Sequence, residues 1–396
     1  MRCSPRLAPA TTALVAANAV VFMAMVTLGA GFWGGASELP LDWGANFGPA
    51  TKDGQWWRLA SAMFVHFGIV HLAMNLWALW DSGRLVERLY GTPRFLAVYL
   101  GSGVAGNLVS LIAQGDGAVS GGASGAIFGL FGALLVCLLR ERRRVDPGEF
   151  RWLFWGGAAF ALASLALGFF VRGIDNAAHI GGLISGALLG IVFGRPLSPQ
   201  APISWRQRGL AAGALVLAAA LIAYSVPEPH YRFTEERQAR SAIRDFIAEE
   251  QRINTRLQAI GEIGRKGGES FEELAGRIDA DVSKEYQDSF EALAAISVSP
   301  AAPSAARLEM LREYALLRGD AAHALAEALR ANDGPAIQRA LEAMQKAPAT
   351  AQAASAHRGG GATSKRAAAS GAASGAVAAA SGAAAAAPSP AASSAH

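Results

Sequence analysis

Apolar residues in the first 230 positions gather into seven long stretches, at 11–32, 59–80, 95–113, 121–139, 152–171, 177–194 and 209–226. Each is near the roughly 20 residues that a helix needs to cross a hydrocarbon core of about 30 Å. The pattern predicts an all-α polytopic membrane protein with seven transmembrane helices over residues 1–230. The first stretch follows Arg2 and Arg6 in the manner of a signal peptide, but the six spans behind it favour an uncleaved first helix. Over 231–347 the pattern changes. Ile243, Phe246, Ile247 and Ile253, and later Leu308, Leu311, Leu316 and Leu317, recur at helical spacing among charged residues, with Pro300 and Pro303 as breakers. A soluble helical hairpin or small bundle is expected there. From Pro348 to the end the chain is Ala, Gly, Ser and Pro with almost no large apolar residue, and a disordered tail over 348–396 is expected.

Composition sharpens this division. Hydrophobic residues make up 52% and charged residues 17%, against about 25% charged in ordinary soluble domains. Residues 1–230 carry 16 Lys or Arg against 11 Asp or Glu, and residues 231–350 carry 16 against 20. Two cysteines, Cys3 and Cys137, cannot build a disulfide framework or a four-ligand zinc site. No basic tract with interleaved aromatics points to nucleic acid.

Positive charge in the short connections sets an expected orientation, because cytoplasmic loops are enriched in Lys and Arg. One set of connections, from Arg2 to Arg208, holds 13 such residues and the other holds only Lys52, Arg58 and Arg172. The N-terminus is therefore expected in the cytoplasm and everything after Val226 outside. Short loops and Arg-only cytoplasmic connections fit a bacterial inner membrane with a periplasmic C-terminus.

Within the spans the ionisable residues are His66, His71 and His179, with Asp81 at a span end. Such residues are functional candidates by default. The lack of an intramembrane carboxylate disfavours an ion-coupled transporter. No H-E-x-x-H is present, so neither metal nor cofactor is expected.

Ser124 opens the fourth span in Gly121-Gly122-Ala123-Ser124-Gly125. A packing serine at a helix crossing is one reading, since Gly125 and Gly129 form a small-xxx-small pair; the hydrolase elbow G-x-S-x-G fails at Ala126. A nucleophilic serine is the other, and it needs a base. Ser124 lies 16 residues before Arg140 and His179 lies 16 before Arg195, about 24 Å of helix in each case. The two side chains thus share one depth on spans running the same way. Gly182 and Gly186 give the second helix its own face for close approach. His71 and Asn75, four apart on one face, form either an interhelical clasp or, beside a nucleophile, a pair of donors to an oxyanion. The Ser124 backbone N–H and the N-terminal dipole of a helix starting there would add to that hole.

The pieces His66-Phe67-x-x-x-His71-x-x-x-Asn75, Gly122-x-Ser124-Gly125 and Ala178-His179-Ile180-x-Gly182-x-x-x-Gly186 resemble the rhomboid intramembrane serine proteases, over roughly residues 50–195. Trp57-Arg58 and Glu87-Arg88 are similar to positions that recur in that family. The resemblance implies a six-helix core with a water-filled cavity opening outward. It implies a serine nucleophile at Ser124, a histidine base at His179 and oxyanion donors at His71 and Asn75. Transmembrane protein substrates in the lipid bilayer would be cut near their outer boundary. His66 is similar to a position with a structural role, and the seventh span resembles the variant with one appended helix. Phe128 departs from the pattern, since many members have a tyrosine that stacks on the histidine; phenylalanine can stack but supplies no hydroxyl. A catalytically silent relative that binds membrane clients is the alternative, disfavoured by the presence of both Ser124 and His179.

Overall fold

A computed structural model describes residues 8–34, 39–171, 173–197 and 204–355. Helix α1, Pro9–Thr27, is followed by the short helices α2, Leu39–Asp42, and α3, Gly48–Lys52, then α4, Arg58–Ser61, which runs into a 3-10 turn, Ala62–Phe64. Next come α5, Ile69–Tyr90, α6, Thr92–Gln114, α7, Ser124–Glu141, α8, Pro147–Phe170, α9, Asn176–Phe193, and α10, Trp205–Ser225. Two short strands, β1, Asn46–Phe47, and β2, Val119–Ser120, pair antiparallel with Asn46 opposite Ser120.

Helices α1, α6, α7, α8 and α9 are long and apolar enough to cross a membrane, and a sixth crossing results if the bent pair Arg58–Phe64 and Ile69–Tyr90 is one span. The chain is thus a multi-pass membrane protein. The apolar stretch 59–80, expected as one helix, is broken by a 95° bend. The cause is local. Gly68 has φ +115°, and a Cβ there would lie 2.9 Å from the backbone of Trp33 and Gly34. Ile69 N–H donates to Phe32 O at 2.8 Å, so the start of α5 is tied to the loop after α1. Hydropathy is blind to a backbone turn of this kind, because its immediate neighbours Phe67, Ile69 and Val70 are apolar.

The core of this region is built around α7, most of which is buried, with Leu79, Val86, Phe95, Tyr99, Ile127 and Leu130 among the fully enclosed residues of that core. Glycine sets how closely the helices pack. The carbonyl of Ala178 on α9 lies 2.6 Å from where a Cβ on Gly106 of α6 would stand, so a side chain there is excluded. At one end Tyr90 Oη donates to Ala133 O at 3.0 Å and lies 3.2 Å from Gly190 O, joining α5, α7 and α9. Helix α1 is held by Glu87, which is 3% exposed. Its carboxylate accepts Ala10 N–H at 3.1 Å, Thr11 N–H at 2.8 Å, Thr11 Oγ1 at 2.8 Å and Thr92 Oγ1 at 2.7 Å. Helix α8 is peripheral: only Gly157 and Ala161 are buried, and Trp152, Trp155, Phe169 and Phe170 face outward, as suits a helix solvated by lipid.

The contacts divide the chain into two compact units at Phe233 and Thr234. The second contains α11, Phe233–Lys266, α12, Phe271–Ile278, α13, Lys284–Ala294, α14, Ala305–Arg330, and a final helix over 334–355. A capping box between Ser270 and Glu273 starts α12. Arg318, 9% exposed, donates to Tyr286 Oη at 3.0 Å and Asn254 Oδ1 at 2.6 Å, satisfying the charge inside the bundle. The final helix runs past 348, where the sequence pattern placed the start of the tail. Ala347 and Ala351, one turn apart, are buried by it, and alanine is the strongest helix former. The rest of the expected tail, 356–396, lies outside the described residues.

Candidate active site

Ser124 is the first residue of α7, so its N–H belongs to the helix N-terminus, where amides have no intrahelical acceptor. The turn before it depends on Gly122, at φ +117°, whose N–H donates to Ala62 O at 2.8 Å. His179 stands in the first turn of α9. Its Nε2 lies 2.8 Å from Ser124 Oγ, within the range of a good O–H···N hydrogen bond. Phe128, one turn along α7, stacks on the imidazole with centroids 4.2 Å apart and planes 7° apart.

The two helices can bring these side chains together only because glycines remove the intervening Cβ atoms. A Cβ on Gly182 would lie 2.0 Å from Gly125 O, and one on Gly186 would lie 2.1 Å from Gly129 O. These are backbone contacts, which no side-chain rotation relieves.

His71 and Asn75 project from α5 toward Gly122. A Cβ on Gly122 would sit 2.7 Å from His71 Nε2 and 3.6 Å from Asn75 Nδ2, so the glycine keeps open a niche in front of both. Asn75 Nδ2 uses one proton on His71 O at 3.0 Å and has a second to offer. His66 is 2% exposed, packs edge-on against the His71 ring at 5.0 Å, and its Nδ1 donates to Phe64 O at 3.3 Å. Among the described residues no three His, Cys, Asp or Glu group as a metal site.

Asp175 is the residue the sequence pattern did not bring forward. It is the N-cap of α9, where Oδ1 accepts Ala178 N–H at 3.0 Å, and Oδ2 accepts Ser120 Oγ at 2.6 Å and the hydroxyl of Ser110. This carboxylate ties α6, β2 and α9 together one turn before His179. The available signal was an Asp just ahead of an apolar helix, a usual N-cap pattern. His179 Nδ1 is buried with no hydrogen-bond partner.

A family model for the rhomboid domain matches residues 53–196. The chain is 40% identical over 160 residues to Rhomboid protease GluP of Bacillus subtilis (strain 168), covering 40% of this chain and 30% of that protein. The putative rhomboid protease YdcA of the same organism is 36% identical over 146 residues, covering 37% of this chain and 70% of its own length. The chain belongs to the rhomboid family. RHOMBOID-like protein 9, chloroplastic, of Arabidopsis thaliana is 35% identical over 176 residues, covering 44% of this chain and 40% of that protein. The chain thus spans less than half the length of GluP and of the chloroplastic protein.

Within the rhomboid region Arg58 and Glu87 have clear structural tasks. Arg58, 3% exposed, donates to Ala45 O at 3.0 Å and Gln55 Oε1 at 2.8 Å and lies over the Trp57 ring, which knits the loop between α1 and α5. Glu87 anchors α1, while its neighbour Arg88 lies in the last turn of α5.

Proposed function

We propose that this protein is an intramembrane serine endopeptidase that cleaves transmembrane segments of membrane proteins. Ser124 is the nucleophile, His179 the general base, and His71, Asn75 and the Ser124 N–H are donors to the oxyanion. The observation that carries this reading is the 2.8 Å contact of His179 Nε2 with Ser124 Oγ at the start of α7. The names of GluP and YdcA lend it the same chemistry by likeness.

In the proposed reaction Ser124 Oγ gives its proton to His179 Nε2 as it bonds to the scissile carbonyl carbon. The carbonyl oxygen becomes an oxyanion in the niche beside Gly122, facing His71 Nε2–H, Asn75 Nδ2–H and the helix N-terminus. The imidazolium then protonates the departing amine, the C–N bond breaks, and an acyl-Ser124 remains. Water, deprotonated by the same imidazole, hydrolyses the ester and restores the serine. Phe128 holds the ring plane through these transfers. The scissile segment must be unwound, because a transmembrane helix keeps its backbone groups paired internally.

The proposed topology has seven crossings, with α10 as the last. Its exposed Leu210, Val216, Leu217 and Leu221 support that assignment. The N-terminus is cytoplasmic and the C-terminal helical segment, 231–347, is outside the inner membrane. The segment contributes none of the proposed catalytic groups, and its task is contact with partners or substrates.

Full-length protein in detergent, incubated with a transmembrane reporter and analysed by mass spectrometry of the cut ends, tests the activity. Cleavage by wild type and none by Ser124→Ala is the expected result. Equal cleavage by both, or none by either under conditions where the protein is folded, would remove the assignment.

A further inference from the structure

Four arginines converge at the end of the bundle where α5, α7 and α9 finish and α6 and α10 begin. Arg94 Nη1 donates to Tyr90 O at 3.3 Å, Arg140 Nη1 to Ile191 O at 3.3 Å, and Arg208 to Gly194 O. Their acceptors are the carbonyls at helix C-termini, which offset only part of a full charge. Arg140, Arg94 and Arg195 all repel the Arg208 guanidinium, and Arg208 Nε is buried without an acceptor. The nearby Glu141 is engaged elsewhere, with Arg144 at 2.9 Å and Leu197 N–H at 3.4 Å. Among the described residues no carboxylate pairs with any of the four arginines. A small cavity opens at the same place, lined by Tyr90, Cys137, Arg140, Gly190, Gly194 and Arg195, with Glu141, held by Arg144, also on its wall.

The surroundings mark this end as a membrane border. Trp152 and Trp155, near the start of α8, are 80% and 64% exposed, and Trp205, the first residue of α10, is 72% exposed; such rings settle at headgroup level. A concentrated positive charge with a buried unused donor, at headgroup depth, matches a phosphate, which arginine binds through paired N–H groups. We propose that Arg94, Arg140, Arg195 and Arg208 form a seat for the phosphate of an anionic phospholipid headgroup. The seat lies apart from the Ser124 and His179 pair and does not depend on the protease reading.

Native mass spectrometry of the full-length protein, with phosphatidylglycerol and phosphatidylcholine of matched chains offered in equal amounts, tests this. Wild type is expected to retain the anionic lipid in preference. Hydrogen bonds to a charged group are worth about 1.5–3 kcal/mol each, more than the general surface attraction of a basic residue, so the double variant Arg140→Gln, Arg208→Gln should bind it on the order of a hundredfold more weakly. The single variant Arg195→Gln, at an exposed position, should lose about fivefold and guards against misfolding of the double variant. Arg151→Gln with Arg206→Gln removes the same charge from exposed positions outside the seat and should lose only the general surface attraction, clearly less than the double variant loses. Equal retention of both lipids by wild type, an unchanged preference in Arg195→Gln and the double variant, an equal loss in the outside control, or full displacement by inorganic phosphate would each overturn the proposal.

Discussion

Gly182→Ala tests whether helix spacing sets the geometry of the candidate active site. The added Cβ would lie 2.0 Å from Gly125 O, and ordinary contact begins at 3.4 Å. Relief requires α7 and α9 to part by about 1.4 Å, the difference of those two distances. His179 is three residues from the wedge, less than one turn, so most of that motion reaches it. Added to the 2.8 Å between His179 Nε2 and Ser124 Oγ, it gives about 4.2 Å, past the limit of a hydrogen bond. Overpacking typically destabilises by about 1–3 kcal/mol, which lowers the melting temperature by several degrees without unfolding a domain of ordinary stability. Misplacement of a reacting group by about 1 Å can reduce turnover on the order of a hundredfold. The expected variant is therefore folded, cleaves the reporter at least about a hundredfold more slowly, and labels poorly with a fluorophosphonate probe. Gly213→Ala on α10 is the comparison, since nothing lies within 4 Å of its added Cβ; turnover should match wild type, and melting should stay level or rise slightly because alanine favours the helix. Near-normal turnover by Gly182→Ala would refute the reasoning, as would a loss that merely tracks the fraction of unfolded protein.

Ser124→Ala, His179→Ala and the double variant should fall to one common background in the reporter assay, because either loss stops proton transfer to the base, whereas Asn75→Ala should retain slow turnover after a loss of roughly 3–4 kcal/mol. Glu87→Ala should destabilise the membrane region by roughly 3 kcal/mol, read as a lower midpoint in a denaturation series, since it strands the buried N–H groups of Ala10 and Thr11. Asp116 is raised by burial and lowered by more through hydrogen bonds from the His230 N–H, the Lys52 ammonium and the His230 ring, so its carboxyl titrates below the usual 3.8. Its contribution to stability is then fully present above that pH and fades as pH falls through the folded value. Melting temperatures of wild type and Asp116→Asn should differ at pH 7 and converge in acid, and identical curves at pH 7 would refute the contact. A C-terminal alkaline phosphatase fusion should be active and a green fluorescent one dark; the reverse would invert the proposed orientation.

The juxtaposition of Ser124 and His179 was legible in the sequence because membrane depth is one-dimensional. Equal distances to Arg140 and Arg195 place two residues on one plane, and paired glycines say which helices touch. Asp175 was not legible in the same way, since its partners Ser110 and Ser120 come from other segments and serine carries no long-range signal. The break at Gly68 escaped hydropathy because apolar residues lie on both sides of it, and only the positive φ and the backbone of Trp33 reveal it. The helix reaching 355 escaped for a different reason. An alanine-rich run reads alike whether it is loose or packed, and burial of Ala351 decides the matter.

The anchoring of α1 by Glu87 has a consequence for biogenesis. The carboxylate that caps Ala10 and Thr11 is 77 and 76 residues downstream of them, so α1 leaves the ribosome with no partner for its leading amides until α5 has been made. Thr92 completes the same cluster from the start of α6. Docking of α1 therefore waits for the α5–α6 turn to be synthesised, and a nascent chain arrested before Glu87 should leave α1 open to site-specific crosslinking with the insertion machinery, while one arrested well after Thr92 should not.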